Sequence, residues 1–140
     1  MVPLGAFKDF EKMSAPLLSV IVPVYNEAGT IRLILEKIAS INIDKEVVVV
    51  DDGSTDQTAS ILRGLANQRL KVIHHTSNRG KGAAFLTGLS QAEGEFVIIQ
   101  DADLEYDPGD YLKLLTAIRE QHAYLVLGAG VTRGYHGLLV

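Results

Sequence analysis

The chain has 140 residues, a length that fits one domain able to bury roughly two thirds of its unfolded surface. With 47% hydrophobic and 21% charged residues it has the composition of an ordinary globule, and a net charge of −4 argues against a nucleic-acid partner held by bulk electrostatics. The absence of cysteine excludes disulfides, thiolate metal sites and cysteine nucleophiles, and is compatible with the reduced cytoplasm.

Residues 1–16, MVPLGAFKDFEKMSAP, lack a basic start followed by an apolar core and do not read as a signal peptide. They are expected to form an N-terminal arm, with Phe7 and Phe10 as its apolar residues, ahead of one domain over residues 17–140. No apolar run approaches the 18 or so residues of a membrane span. From Leu18 a β-branched run predicts a buried strand ended by Pro23. Thr30 is placed to cap a helix whose Ile31, Ile34, Leu35 and Ile38 form one apolar stripe. Glu46 to Val50 predicts a second buried strand, and Thr55 or Asp56 a cap for the next helix, with Ile61, Leu62 and Leu65 inward.

A third strand is expected over Leu70 to His74, then a polar loop, TSNRGKG, then a helix from about Ala83 to Ala92. Glu95 to Gln100 predicts a fourth strand. Asp107-Pro108 starts a helix, with proline at its first position and an acid beside its positive end. Tyr124 to Leu127 predicts a fifth strand. Strands apolar throughout and separated by amphipathic helices imply an α/β fold, a mostly parallel sheet covered on both faces. In such sheets ligands sit beyond the carboxyl ends of the strands, where Pro23 to Glu27, Asp51 to Asp56 and Asp101 to Asp107 fall.

Three common ligand loops fail on spacing. No G-x-x-x-x-G-K-[ST] phosphate loop exists, and the two candidate dinucleotide fingerprints carry Phe85 and Arg133 where the third glycine belongs. A calcium loop counted from Asp101 finds Tyr106 at the glycine position. What remains is a strand end, VIIQDADLEYDP, with acids at every second position. Asp101 and Asp103 can aim two carboxylates at one point, a donor set suited to a divalent ion shared with substrate phosphates. Such a motif alone is also the mark of a solvated acidic loop. Arg79 and Lys81 are the nearest cations for a diphosphate, or a solvated basic loop. The tandem His74-His75 is expected to divide between core packing and solvent, because neighbours on a strand point oppositely.

Four strings in order, SVIVPVYNE, VVVDDGSTDQT, NRGKGAAFLTGL and IIQDADLEYDP, resemble family 2 glycosyltransferases of the GT-A fold, closest to the dolichyl- or polyprenyl-phosphate sugar synthases. The resemblance spans about Leu18 to Leu127. It implies a Rossmann-like GT-A sheet and inverting transfer of a hexose from a nucleoside diphosphate sugar, GDP-mannose or UDP-glucose, to a polyprenyl (dolichyl) phosphate. Pro23, Tyr25 and Glu27 would hold the nucleoside, and Val50 and Asp52 would lie near the base. Asp51 is expected to cap the Ser54–Thr55 turn. Asp101, Ala102 and Asp103 would meet the metal and diphosphate, with Asp103 as the catalytic position, Glu105 reaching the metal through water, and Mg2+ or Mn2+ as the ion. Lys81 would join the diphosphate site.

The family's Gly-Ser-Arg or Gly-Thr-Arg string is replaced here by Leu127-Gly128-Ala129-Gly130-Val131-Thr132-Arg133, so that Gly130 stands where an arginine is expected and Arg133 is its substitute only if the loop slips. The family also continues past this point with the half that builds the acceptor site. The expectation is therefore a partial GT-A domain with its C-terminal acceptor half missing, the stretch GYHGLLV reading as an ending. A catalytically inactive nucleotide-sugar binding module is the second reading, and a nucleotidyltransferase of similar topology the third. A lipid acceptor would place the protein at the cytoplasmic membrane face. The base, the sugar, a catalytic base and the oligomeric state stay open.

Overall fold

The computed structural model describes residues 15–67, 69–121, 126–129 and 136–139. Four strands, β1 (Leu18–Val24), β2 (Lys45–Asp51), β3 (Leu70–His74) and β4 (Phe96–Ile99), pair in parallel in the order 3-2-1-4. Four helices are interleaved: α1 (Ile31–Ser40), α2 (Thr58–Arg63), α3 (Lys81–Gln91) and α4 (Tyr111–Gln121), the last entered through a 3-10 turn at Pro108–Asp110. Two further strands, β5 (Val126–Ala129) and β6 (His136–Leu139), extend the sheet; β6 lies between β4 and β5 and pairs antiparallel with both.

The core follows from the two periodicities. Leu18, Val20, Val22 and Val24 of β1, with Val49 of β2, face the stripe Ile31, Ile34, Leu35 and Ile38 of α1 and Tyr111, Leu115 and Ile118 of α4. Val48 and Val50 face the other way, onto Ala84 of α3. Helices thus cover both faces, as the apolar strands require. Ile31, Ile34 and Ile38 are fully buried, each contributing on the order of 1.5–3 kcal/mol. Gly88 lets α3 approach the sheet: a Cβ there would lie 2.5 Å from Ile21 Cγ2 and 3.3 Å from Val50 Cγ2.

β1 runs through Pro23 to Val24, one residue beyond the expected end. Proline is normally barred from a central strand because it cannot donate to the ladder. Here β4 leaves the ladder after Ile99, opposite Ile21. By strand alternation the missing N–H of Pro23 faces that vacated side, so nothing is left unpaired. The same divergence opens the sheet between β1 and β4.

Other boundaries move for identifiable reasons. α1 begins after Thr30, but the Thr30 hydroxyl caps no helix N–H and donates instead to Glu27 Oε2 at 2.9 Å. α2 starts at Thr58, because Asp56 Oδ1 accepts from Thr58 N in a tight turn that delays it. α3 starts at Lys81, two residues before the expectation, with Gly80 at φ 95° turning the chain into it. Asp107 caps its turn through Gly109 N at 2.9 Å, as expected. The fifth strand lies at Val126–Ala129, later than read but running in the sense of β1–β4, and part of the stretch read as an ending is the reversed strand β6 between them. Residues 1–14, which hold most of the expected arm, lie outside the described residues.

At the amino ends of the strands a buried clamp closes the sheet. Glu46 Oε1 accepts from Ser19 Oγ and from Glu93 N, each at 2.6 Å, and Glu46 Oε2 meets Lys71 Nζ at 3.0 Å. Burial pushes the Glu46 carboxyl up, but these bonds outweigh it and hold the group below its usual value. A carboxyl lowered by folding stabilises above its unfolded pKa of about 4.3, and that stability is lost as pH falls through the lower folded value. Glu46→Gln is expected to cost about 2 kcal/mol at pH 7 by denaturant unfolding. The difference from the native chain should shrink toward pH 3; a gap independent of pH would show that charge is not what holds the clamp.

Candidate active site

The point where the chain stops adding strands on one side of β1 and returns to add β4 on the other is the topological switch of the sheet, where a crevice is expected. A cleft of about 320 Å³ lies there. It is lined by Pro23, Val24, Tyr25 and Glu27 after β1, by Asp52 after β2, and by Asp101, Ala102 and Asp103 after β4. Asn78, Gly80, Lys81 and Ala84, from the β3–α3 loop and the start of α3, complete the wall.

The first two turns are tied to each other. Asn26, at φ 53°, donates its N–H to Ser54 Oγ at 2.9 Å, and its Oδ1 accepts from Thr55 N at 2.8 Å. Glu27 N donates to Thr58 Oγ1, and Ala28 N to Asp56 Oδ2. These bonds present Tyr25, 43% exposed, at the rim. Asp51 Oδ1 accepts from Ser54 N at 3.0 Å, the capping expected of it, whereas Thr55 N goes to Asn26.

The tandem histidines divide as expected, His74 at the exposed end of β3 and His75 with its side chain only 6% exposed, and each also locks an aspartate. His74 Nδ1 bonds Asp51 Oδ2 at 2.9 Å, and His75 Nδ1 bonds Asp52 Oδ1 at 2.7 Å while its Nε2 meets Thr87 Oγ1 of α3 at 2.9 Å. Asp52 Oδ1 also accepts from Arg79 N at 2.9 Å, and Oδ2 from Gly80 N at 2.8 Å. Burial raises the Asp52 carboxyl, but the His75 contact and the two amides outweigh it and hold the group below the usual range. An anion therefore sits at the end of β2 as the anchor of the loop that delivers Lys81.

After β4 the chain is pinned by a buried amide. Tyr111 OH donates to Gln100 Oε1 at 2.6 Å, and Gln100 Nε2 donates to the carbonyls of Asp101 and Tyr106, both at 3.2 Å. Leu104 takes φ 65°, a left-handed conformation unusual for its type, and packs partly against the core. Together these hold the acidic loop with Ala102 buried, Asp101 half-buried and Asp103 exposed. Lys81 Nζ is ion-paired with Asp101 Oδ1. Asp103 Oδ1 accepts from Glu105 N at 3.1 Å.

Of the residues the sequence singles out, Pro23, Tyr25, Glu27, Asp52, Lys81, Asp101, Ala102 and Asp103 border this one cleft. Val50 does not; it is fully buried beneath α3 beside Ala84. Glu105 is exposed and outside the cleft wall, and among the described residues no three His, Asp or Glu side chains gather as a preformed metal cluster. Arg133 and Gly130 lie outside the described residues. Sequence reasoning missed His75, Thr87, Gln100 and Tyr111, which shape the site by bonds across elements. Only the pairing of two aspartates with two histidines one strand later hinted at any of them.

Comparison with known proteins is consistent along the chain. The family model "Glycosyl transferase family 2" matches residues 19–139. The dolichyl-phosphate beta-glucosyltransferase of Saccharomyces cerevisiae is 36% identical over 127 residues, covering 82% of this chain and 37% of that protein. Staphylococcus aureus TarS, solved with UDP, superposes with a TM-score of 0.70 at 38% identity, over 84% of this chain and 37% of that one. A mannosyltransferase of Pyrobaculum calidifontis, solved with GDP-Man and Mn2+, gives 0.68 at 36% identity, over 86% and 37%. The chain spans about a third of the length of the curated relatives it matches.

Proposed function

Since the chain belongs to glycosyl transferase family 2 and carries the GT-A arrangement of sheet and helices, we propose that its cleft binds a nucleoside diphosphate sugar and serves inverting transfer of the hexose to a polyprenyl phosphate. The single observation that carries this is the convergence of Tyr25, Glu27, Asp52, Lys81, Asp101 and Asp103 on one cleft from three strand ends and one helix start. The lipid acceptor rests on relatives such as the yeast dolichyl-phosphate enzyme.

In this reading the exposed Tyr25 ring offers a flat face to the base and Glu27 accepts from a ribose hydroxyl. Asp52 meets an N–H edge of the base, and Lys81 and Arg79 neutralise the diphosphate. The donor set suits a hard divalent cation, since two carboxylates a residue apart at a strand end need only phosphate and water to complete the sphere. Asp101 and Asp103 would hold Mg2+ or Mn2+, which when bound supplies charge neutralisation of the departing diphosphate. Lys81 already places a positive charge on Asp101, the charge type the site calls for.

Transfer forms a bond from an acceptor phosphate oxygen to the anomeric carbon and breaks the bond to the diphosphate. The acceptor attacks from the face opposite the leaving group, so the anomeric configuration inverts. The phosphate is already an anion, and a general base is not required of this chain. Incubation with UDP-glucose or GDP-mannose, polyprenyl phosphate and Mn2+ should yield a polyprenyl-phosphate sugar and the free nucleoside diphosphate. Donor binding without turnover would favour a nucleotide-sugar binding module, and no binding of either nucleotide would sink the assignment of the cleft.

A further inference from the structure

The donor base, uracil or guanine, is left open by likeness but not by the hydrogen bonding of Asp52. This inference rests on the nucleoside diphosphate reading of the cleft. A carboxylate offers two oxygens with two acceptor positions each. At Asp52, Oδ1 takes both His75 Nδ1 and Arg79 N, and Oδ2 takes Gly80 N. Three of four positions are filled by groups of the described chain. The carboxylate borders the cleft yet is 3% exposed as a residue, so it cannot turn to free another oxygen without breaking the loop.

The remaining acceptor position lies on Oδ2 alone. Guanine presents N1–H and an N2 amino group side by side, a pair satisfied by both oxygens of one carboxylate. Uracil presents a single imide N–H. We propose that Asp52 reads the base as a one-acceptor site that selects a uridine over a guanosine diphosphate donor, and that His75 is the positioning residue that makes it so by saturating Oδ1. The carboxylate only accepts, so His75 Nδ1 carries the proton, and Thr87 Oγ1 at Nε2 holds the ring on the other side. The ring is 6% exposed at its side chain, which makes this bond a fixed part of the site.

The test is calorimetric titration of UDP and of GDP, each with Mn2+, into the native chain and two variants. UDP is expected to bind about tenfold or more tightly than GDP, the scale of leaving one buried donor unpaired. His75→Phe keeps an aromatic ring but frees an acceptor on Oδ1, and the UDP-to-GDP affinity ratio should fall severalfold. His75→Asn, whose amide can replace Nδ1–H, should restore the ratio. A general loss of folding would lower both affinities and leave the ratio unmoved. GDP binding as tightly as UDP to the native chain would overturn the proposal while leaving the nucleotide site standing, as would a ratio unchanged in a folded His75→Phe. If neither nucleotide binds, the nucleotide reading itself fails and this inference falls with it.

Discussion

Asp103→Ala should weaken Mn2+-supported nucleotide binding by at least the 10–100-fold that loss of an outer-sphere metal partner typically costs. The exposed Asp103 has one modest internal duty, accepting from Glu105 N. Its removal therefore takes little from the fold, and the deficit should appear in binding while the unfolding curve stays close to native. Asp101 is different, because Lys81 already occupies one of its oxygens. A bare cation must displace that ammonium before it reaches Asp101, and an ion pair whose lysine is 64% exposed is screened by solvent and contributes only about 1 kcal/mol. Lys81→Met should consequently bind bare Mn2+ severalfold more tightly, read by the electron paramagnetic resonance signal of the free ion. The same variant should bind nucleoside diphosphate with Mn2+ more weakly, because the diphosphate loses a cation. Opposite signs from one substitution separate an exchangeable counter-charge from a purely structural pair. Two changes of the same sign would rule the exchange out.

Gly53→Ala should destabilise the chain by about 3 kcal/mol or more, combining left-handed strain with overpacking. Gly53 sits at φ 75°, where an alanine is strained whatever the space. Space is also lacking, since a Cβ would lie 2.5 Å from Ser77 C, 2.7 Å from Asn78 N and 2.9 Å from Ser77 Cα. All three are backbone atoms and cannot rotate away. The displaced segment leads straight into Arg79 and Gly80, whose amides Asp52 holds. Any Gly53→Ala protein that folds should therefore also lose nucleotide affinity. The exposed Gly29, with open space where its Cβ would be, is the contrasting position, and Gly29→Ala should change the urea midpoint little. Equal midpoints for the two variants would show that the β2 turn is not packed against the β3–α3 loop.

The residues by themselves determined the sheet and the place of the cleft. Unbroken β-branched strands such as Val47 to Val50 demand cover on both faces, and the 3.6-residue spacing of Ile31, Ile34, Leu35 and Ile38 supplies it on one of them. Acids and turn residues at three strand ends then mark the ligand side, and order along the chain is enough to name them. Tertiary structure alone decided what those acids do. The bond from His75 to Asp52 spans 23 positions and that from Gly80 to Asp52 spans 28, so no local pattern announces either. Val50 shows the converse: it stands two residues before Asp52 and on the same face of β2, yet α3 packs over it and buries it beside Ala84, out of the cleft wall. The antiparallel β6 was illegible for a related reason. A four-residue strand containing glycine is specified less by its own propensity than by the open edge of β4 beside which it pairs.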